Sequence, residues 1–247
     1  MSTTVLSYNL CHGQGLDDKI DLIRQAAVIS SRHPRFVALQ ELDRRVKRSG
    51  YVDEPARLAE LTGYKAFFGK AIPLGDDGNG EYGIAILTAD QNAELAAFFA
   101  LPGEEPRAFI AVRGHLEDGS EVIFACTHLD LNEKNRIASV RLINEWVKLQ
   151  PLPVLFMGDF NCKGDSAPYQ ALCETWQSAW GDSTQPTHPA NAPKIDIDHL
   201  FMYPQKAWNV EAMTVVEELV ASDHRPIEGV VELKKKAPKH TRKGQKR

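Results

Sequence analysis

Short apolar runs separated by polar clusters recur along the whole chain, and their lengths and spacing predict interleaved strands and helices. Residues 5–9 form a β-branched and aromatic run that predicts a first strand. Over residues 17–31, Ile20, Ile23, Ala27 and Val28 fall near helical spacing. Residues 36–40 are a compact apolar run bounded upstream by His33-Pro34, as expected of a buried strand. A polar loop is expected over 43–53, then a short helix over 54–62 closed by Gly63. Further strands are expected at 66–68, 83–87, 108–113 and 122–127. The sequence Glu117-Asp118-Gly119-Ser120 supplies the hairpin turn between the last two. A helix over 133–149 places Ile137, Val140, Ile143 and Val147 on one face, and strands at 154–157, 195–202, 208–215 and 227–233 complete the pattern. No internal repeat and no shift of composition divides the chain. The expectation is one α/β domain over residues 1–233, with two packed sheets and helices outside them.

Composition narrows the class. Hydrophobic residues make up 43% and charged residues 25% of 247, the proportions of an ordinary globular protein. No apolar run approaches the roughly 18 residues of a membrane-spanning helix. The first residues lack a basic start followed by a long apolar stretch, and the four cysteines (Cys11, Cys126, Cys162 and Cys173) form no CxxC pair. A cytoplasmic, reducing location is therefore expected, and a zinc ribbon or disulfide framework is not. The net charge of −4 conceals an asymmetry. Residues 234–247 hold eight of the 29 basic residues and none of the 33 acidic ones, which leaves the rest of the chain at −12. So acidic a body is a poor generic partner for a polyanion. The basic tail is expected to be disordered, either as a solvated end or as a contact for nucleic acid or an acidic membrane.

The chemistry-bearing residues cluster where predicted strands end. Asn9, Gln40-Glu41, Thr127-His128-Leu129, Gly158-Asp159-Phe160-Asn161, Asp196-Ile197-Asp198-His199 and Ser222-Asp223-His224-Arg225-Pro226 each follow or open a short apolar run. Each is weak alone. Together they set carboxylates, carboxamides and imidazoles at strand exits, from which a rigid scaffold presents side chains to one cleft. Oxygen donors without adjacent cysteine pairs suit a hard divalent ion such as Mg²⁺ or Mn²⁺, and histidines beside carboxylates suit acid–base or charge-stabilising work.

In order and spacing these motifs, with Tyr82-Gly83-Ile84-Ala85-Ile86-Leu87, resemble the endonuclease/exonuclease/phosphatase family, the metal-dependent group that contains DNase I, apurinic endonucleases, inositol polyphosphate 5-phosphatases and neutral sphingomyelinases. The resemblance spans about residues 4–233. It implies a four-layer α/β sandwich, two packed mixed β-sheets flanked by helices. It further implies that Glu41 is the principal metal-binding carboxylate, that Asn9 helps to position the metal site and that Asp223 is a further metal contact. Asp159 would orient or deprotonate the attacking water, with Asn161 beside it holding phosphate or nucleophile. His224 would be the essential histidine, Asp198 its carboxylate partner, His128 a phosphate-facing histidine and Arg107 a phosphate-contacting arginine. The middle strand departs from the family's Gly-Asn-Ala-Ile-Leu form. Ile84 stands where the asparagine would be, which leaves that local task to Tyr82, to Glu81 or to neither.

Several other residues are expected to be structural. Asp196 reads as a turn residue, and His199 should face away from Asp198 by strand alternation. His12, His33, His115 and His188 lack a carboxylate-and-glycine context and are expected at the surface. Cys126 and Cys162 should pack, and Trp176 and Trp180 belong to a core or its rim. The acidic body and the Thr-His-Leu form favour a phosphodiesterase or phosphatase on a small or lipid-linked phosphate ester, with the loops at 44–53 and 73–80 lining a pocket. A nuclease that borrows affinity for DNA or RNA from the basic tail is the alternative. A non-catalytic binding module of the same fold is a third, although Glu41, Asp159, Asn161, Asp198 and His224 are all present.

Overall fold

Two six-stranded mixed sheets lie face to face in a computed structural model that describes residues 1–75 and 78–234. The elements run β1 (Thr3–Asn9), α1 (Leu22–Arg32), β2 (Phe36–Arg44), α2 (Glu54–Thr62), β3 (Lys65–Leu74), β4 (Gly80–Thr88), β5 (Glu94–Leu101), β6 (Arg107–His115), β7 (Glu121–His128), α3 (Glu133–Lys148), β8 (Val154–Asp159), α4 (Ala167–Cys173), β9 (Gln177–Ser178), β10 (Asp198–Tyr203), β11 (Trp208–Val215) and β12 (Ile227–Leu233). The first sheet has the order β11-β12-β1-β2-β4-β3 and the second β5-β6-β7-β8-β10-β9. Each contains one parallel pair at its centre, β1 with β2 and β7 with β8; every other pairing is antiparallel. The four-layer α/β sandwich expected from the sequence is the fold observed. No helix among the described residues is long and apolar enough to cross a membrane. The basic tail, apart from Lys234, lies outside the described residues.

Three apolar clusters hold the layers. The central one packs sheet on sheet, with Val5, Phe36, Ile84 and Ile86 from the first facing Ile110, Phe124, Leu155 and Met157 from the second. Phe36 and Phe124 stack across it with ring centroids 5.1 Å apart. A second cluster joins α3 and α4 to the outer face of the second sheet through Val140, Ile143, Leu172 and Phe156. A third joins α1 and α2 to the first sheet through Ile29, Leu58, Tyr8 and Leu39. Strands buried on both faces carry near-continuous apolar runs rather than strict alternation, as β2 and β8 do.

The differences from expectation have local causes. Helix α1 begins at Leu22 rather than residue 17: a turn places Asp18 at φ 60, and the Asp21 carboxylate then accepts from Arg24 N at 3.0 Å as the cap. Strand β2 runs on to Arg44, so the expected loop over 43–53 starts later and holds a single 3-10 turn, Lys47–Ser49. Strand β10 starts at Asp198, because residues 195–197 pair only through an isolated bridge from Ile195 to His188. The pattern gave no sign of β5, whose Glu94–Leu101 run of alanine and phenylalanine lacks alternation; it is an edge strand that leaves Leu95 and Phe98 half exposed. Helix α4 and the two-residue β9 were likewise not anticipated.

Two predictions test this packing. Phe124→Ala should cost about 3–5 kcal/mol, the usual range for emptying a buried aromatic site, read as a loss of unfolding free energy in urea. Burial pushes the Glu54 carboxyl up to about 8 from an ordinary 4.5, although its Oε2 accepts from Asp43 N at 2.7 Å. The folded chain keeps a proton that the unfolded chain releases, so this contribution is complete below about pH 4.5 and drains away as the pH rises to about 8. Glu54→Gln should therefore shrink the fall in stability between those pH values by at least about 1 kcal/mol. Parallel stability–pH curves for the two proteins would refute it.

Candidate active site

The two central parallel pairs end at the same end of the sandwich, and register brings their last residues together. Asn9 is level with Gln40 across β1 and β2, His128 is level with Asp159 across β7 and β8, and Asp159 is level with Asp198 across β8 and β10. Gly158, opposite Thr127, permits a close approach of β7 and β8. A Cβ there would lie 2.1 Å from the Thr127 carbonyl oxygen, so any side chain would force β7 and β8 apart just before Asp159.

Glu41 reaches the cleft through a bulge. The β2–β4 ladder breaks between Leu39 and Leu42, and Glu41 there adopts φ 59. An extra residue in one strand re-aims its side chain, a device common beside active sites. Gln40, the residue before, stays fully buried: its Nε2 lies 3.3 Å from both Ser7 Oγ and Cys126 Sγ, tying one sheet to the other. Cys126 is thus a polar tie as well as packing, and its thiol also reaches Leu39 O at 3.5 Å.

Asn9 links two carboxylates. Its Nδ2 donates to Glu41 Oε1 and to Asp159 Oδ2, each at 3.1 Å, while its Oδ1 accepts from Cys11 N. It therefore enters the group as a donor between the acids. Asp159 is buried against Asp198 and His224. Its carboxyl is pushed well above the usual carboxylate range by burial first and the Asp198 charge second, with the His224 ring, Asn161 N and Asn9 pulling the other way. His224 Nδ1 lies 2.9 Å from Asp198 Oδ2 and its Nε2 3.7 Å from Asp159 Oδ2. Burial alone would lower the ring, but Asp198, then Asp159 and Asp223, raise it to about 10, so it carries a proton at neutral pH. Asp198 also accepts from Thr187 Oγ1 at 2.5 Å.

A second group faces the first. Asn161 Nδ2 lies 3.0 Å from His128 Nε2 and donates to Leu129 O at 2.9 Å, which sets the orientation of its amide. Arg107 Nη1 lies 3.4 Å from His128 Nδ1 and 3.2 Å from Glu105 Oε1. Burial, then Arg107 and His224, hold His128 well below its ordinary value, so it is a neutral ring among donors.

Every site residue expected from the sequence lies at this end. Asp223 and His188 complete a group that the sequence did not show. His188 Nε2 lies 3.7 Å from Asp223 Oδ2, and its ring is 4.7 Å from that of His224. It is half-buried rather than a surface residue, carried in by pairing between two loops: Ala190 N donates to Asp223 O and Arg225 N to Thr187 O. Nothing local to Thr187-His188-Pro189 announces this; only the long-range pairing does. His12 also stands at the site, lining a cavity of about 150 Å³ with Glu41, Arg48, Ile72, Leu74, Tyr82 and Glu105. The loops expected to form a pocket thus contribute Arg48 and Leu74. Tyr82 faces the cleft, whereas Glu81 is engaged by Arg44 and Lys70 and Ile84 lies in the inter-sheet core. Asp196 is structural, accepting from Gly164 N and Thr184 Oγ1, and His199 faces away with Nε2 2.8 Å from Cys162 O.

The chain is similar in sequence and fold to known proteins. A protein of Escherichia coli (strain K12) named uncharacterized protein YbhP is 29% identical over 122 residues, 47% of this chain and 48% of that protein, so the chain matches about half the length of that curated relative. An endonuclease/exonuclease/phosphatase from Beutenbergia cavernae superposes with a TM-score of 0.74 at 22% identity, covering 94% of this chain and 72% of its own. Mannosyl-6-phosphatase Bt3783 of Bacteroides thetaiotaomicron also gives 0.74, at 19% identity, covering 94% and 100%. The catalytic domain of human Nocturnin with bound sulfate gives 0.72 at 18% identity, covering 94% and 95%. The sequence profile of the Endonuclease/Exonuclease/phosphatase family matches residues 6–224, and the chain belongs to that family, whose members are phosphoester hydrolases.

Proposed function

We propose that the protein is a divalent-metal-dependent phosphoesterase acting on a small or lipid-linked phosphate ester. One observation carries the proposal: a buried carboxylate, Asp159, stands between His224 on one side and His128 and Asn161 on the other, with Asn9 linking it to Glu41. The donor set fits a hard cation on the Glu41 side. Glu41 offers carboxylate oxygen from a partly exposed position, and Asp159 and Asp223 supply further anionic oxygens to the same cleft. Glu41 and Asp223 would hold Mg²⁺ or Mn²⁺, which would supply charge neutralisation to the phosphate ester.

The chain's own residues supply the rest. Asp159, with its proton affinity raised by burial, is a base suited to take a proton from water near neutral pH. Asp198 holds His224 through Nδ1 and keeps it cationic, so that Nε2 presents a proton to the negative charge that grows on phosphorus oxygens. Asn161, its amide protons directed to Leu129 O and His128 Nε2, fixes that ring, and Arg107 is buried with Nε unpartnered by protein, a donor left for an anionic group. His128 contributes as a neutral ring rather than a cation.

Support for a small substrate comes from scale and charge. The cavity beside Glu41 has room for one small group, and a neighbouring one of about 430 Å³ is lined by Glu104, Glu105, Arg107, Asp130, Leu131 and Asn132. Acidic residues at that rim disfavour a long polyanion. The name of Bt3783, a mannosyl-6-phosphatase of the same fold, is compatible with a sugar-phosphate-sized ester.

Hydrolysis of bis-p-nitrophenyl phosphate or p-nitrophenyl phosphate with Mg²⁺ or Mn²⁺ should be abolished by EDTA, and Asp159→Asn should lower it by about 10²–10⁴-fold, the usual contribution of a positioned base. A variant with near wild-type rate would remove Asp159 from the reaction. Asp198→Asn should drop the His224 ring by at least about one pKa unit, since a nearby carboxylate is worth about 1–3 units. Nuclear magnetic resonance titration of the metal-free protein reads this directly, and an unmoved ring would show that Asp198 does not set the His224 charge.

A further inference from the structure

Cys11, His12 and Glu41 form a group outside the Asp159–His224–Asp198 array. Their sulfur, ring nitrogen and carboxylate oxygen all lie within 4.8 Å of one another. They converge because the chain turns sharply after Asn9: Cys11 and His12 have φ 46 and 44, Glu41 has φ 59, and Asn9 Oδ1 accepts from Cys11 N at 3.1 Å. The His12 ring is steadied by Gln14, whose Oε1 lies 3.3 Å from Nε2. We propose that Cys11, His12 and Glu41 form a site for a thiophilic divalent cation, Zn²⁺ or Co²⁺, that competes with the hard ion for Glu41.

The donor chemistry selects the ion. One sulfur, one imidazole nitrogen and one carboxylate oxygen with a fourth position open to solvent is a ligand set that zinc accepts and magnesium does not. The charges facing the sulfur favour a cation. The carboxylates of Glu41 and Asp223 face it, and the nearby Arg48 is already paired with Asp43 through two bonds of 2.8 Å. Access is open, since all three donors are only partly buried. The other two groups of this kind among the described residues share His224, whose ring nitrogens already face Asp198 and Asp159. Binding forms a sulfur–metal bond and releases the Cys11 thiol proton to solvent.

The site is separable from the hydrolytic function by its spectroscopy. The reduced, metal-free, full-length protein should develop a thiolate-to-cobalt charge-transfer band on titration with Co²⁺, saturating at one ion per chain. Cys11→Ser should lose the band, and Cys173→Ser, which alters the other partly exposed thiol, should keep it. In the wild-type chain, equimolar Zn²⁺ should protect Cys11 from alkylation, as peptide mapping would show without any variant. His12→Ala should weaken Co²⁺ binding by more than about tenfold, the lower end of what even an outer-shell change costs a metal site. Absence of the band, its survival in Cys11→Ser, or unprotected Cys11 would overturn the site. The competition with the hard ion rests on the phosphoesterase reading. Zn²⁺ should inhibit Mg²⁺-dependent hydrolysis, and less so in His12→Ala. Hydrolysis with no cobalt band would refute only the soft-metal site, whereas the band without hydrolysis would leave that site standing and remove the phosphoesterase reading.

Discussion

Asp159 and Asp198 are two buried carboxylates at paired positions on adjacent strands, and the protonated His224 ring is what allows both to stay there. Two like charges so placed and so poorly solvated would repel strongly, and one would take up a proton instead. The imidazolium between them shares its nitrogens, one to each, while Thr187 and Asn9 donate to those same two Oδ2 atoms. The arrangement leaves Asp159 with the weaker hold on the cation, 3.7 Å against 2.9 Å for Asp198. The difference in geometry separates the two acids: Asp198 holds the histidine, and Asp159 is the one to which the proposed function gives the proton of water.

That ion group is exact only because two sheets are pressed together behind it. Asn9 and Glu41 belong to the first sheet, Asp159 and Asp198 to the second, and His224 to a loop that closes over both. Ser222 Oγ donates to Asn9 O at 2.7 Å, and the buried Gln25 amide donates to both Leu10 O and Ala221 O at 2.8 Å, which fastens that loop to the end of β1. Gln40 and Cys126 cross the sheet interface just beneath. Each tie is worth about 1 kcal/mol in net stability. Their larger effect is to fix distances among charged groups whose interactions change steeply with separation.

The sequence carried most of this, and its omissions share a cause. Strands such as 208–215 and 227–233 were legible to the residue because apolar runs bounded by turn residues are local signals. Glu41, Asp159, Asp198 and His224 were legible because each ends or adjoins such a run. His188 was not, because it reaches His224 through loop pairing between residues some 35 positions apart, as in the Arg225 to Ala190 bond. His12 was not, because its place depends on two successive left-handed residues that no composition rule favours. Edge strand β5 was missed for a related reason: its pattern is set by what β6 leaves uncovered rather than by its own alternation.

Left-handed backbone at Cys11, His12, Glu41 and Asn161 shows where local preference has been overridden. Each such non-glycine residue costs on the order of 1–3 kcal/mol and persists only where surrounding structure over-determines it. All four border one cleft, where side chains converge from strand ends, while Asp18, His33, Arg45, Tyr51 and Lys206 adopt the same conformation in turns and a helix cap. The result is a cleft of two chemical characters. Toward Asp159 the groups are hard oxygens and imidazoles already engaged with carboxylates; toward Cys11 they are softer and less committed. Glu41 stands at the boundary, placed there by the bulge in β2 and within reach of both.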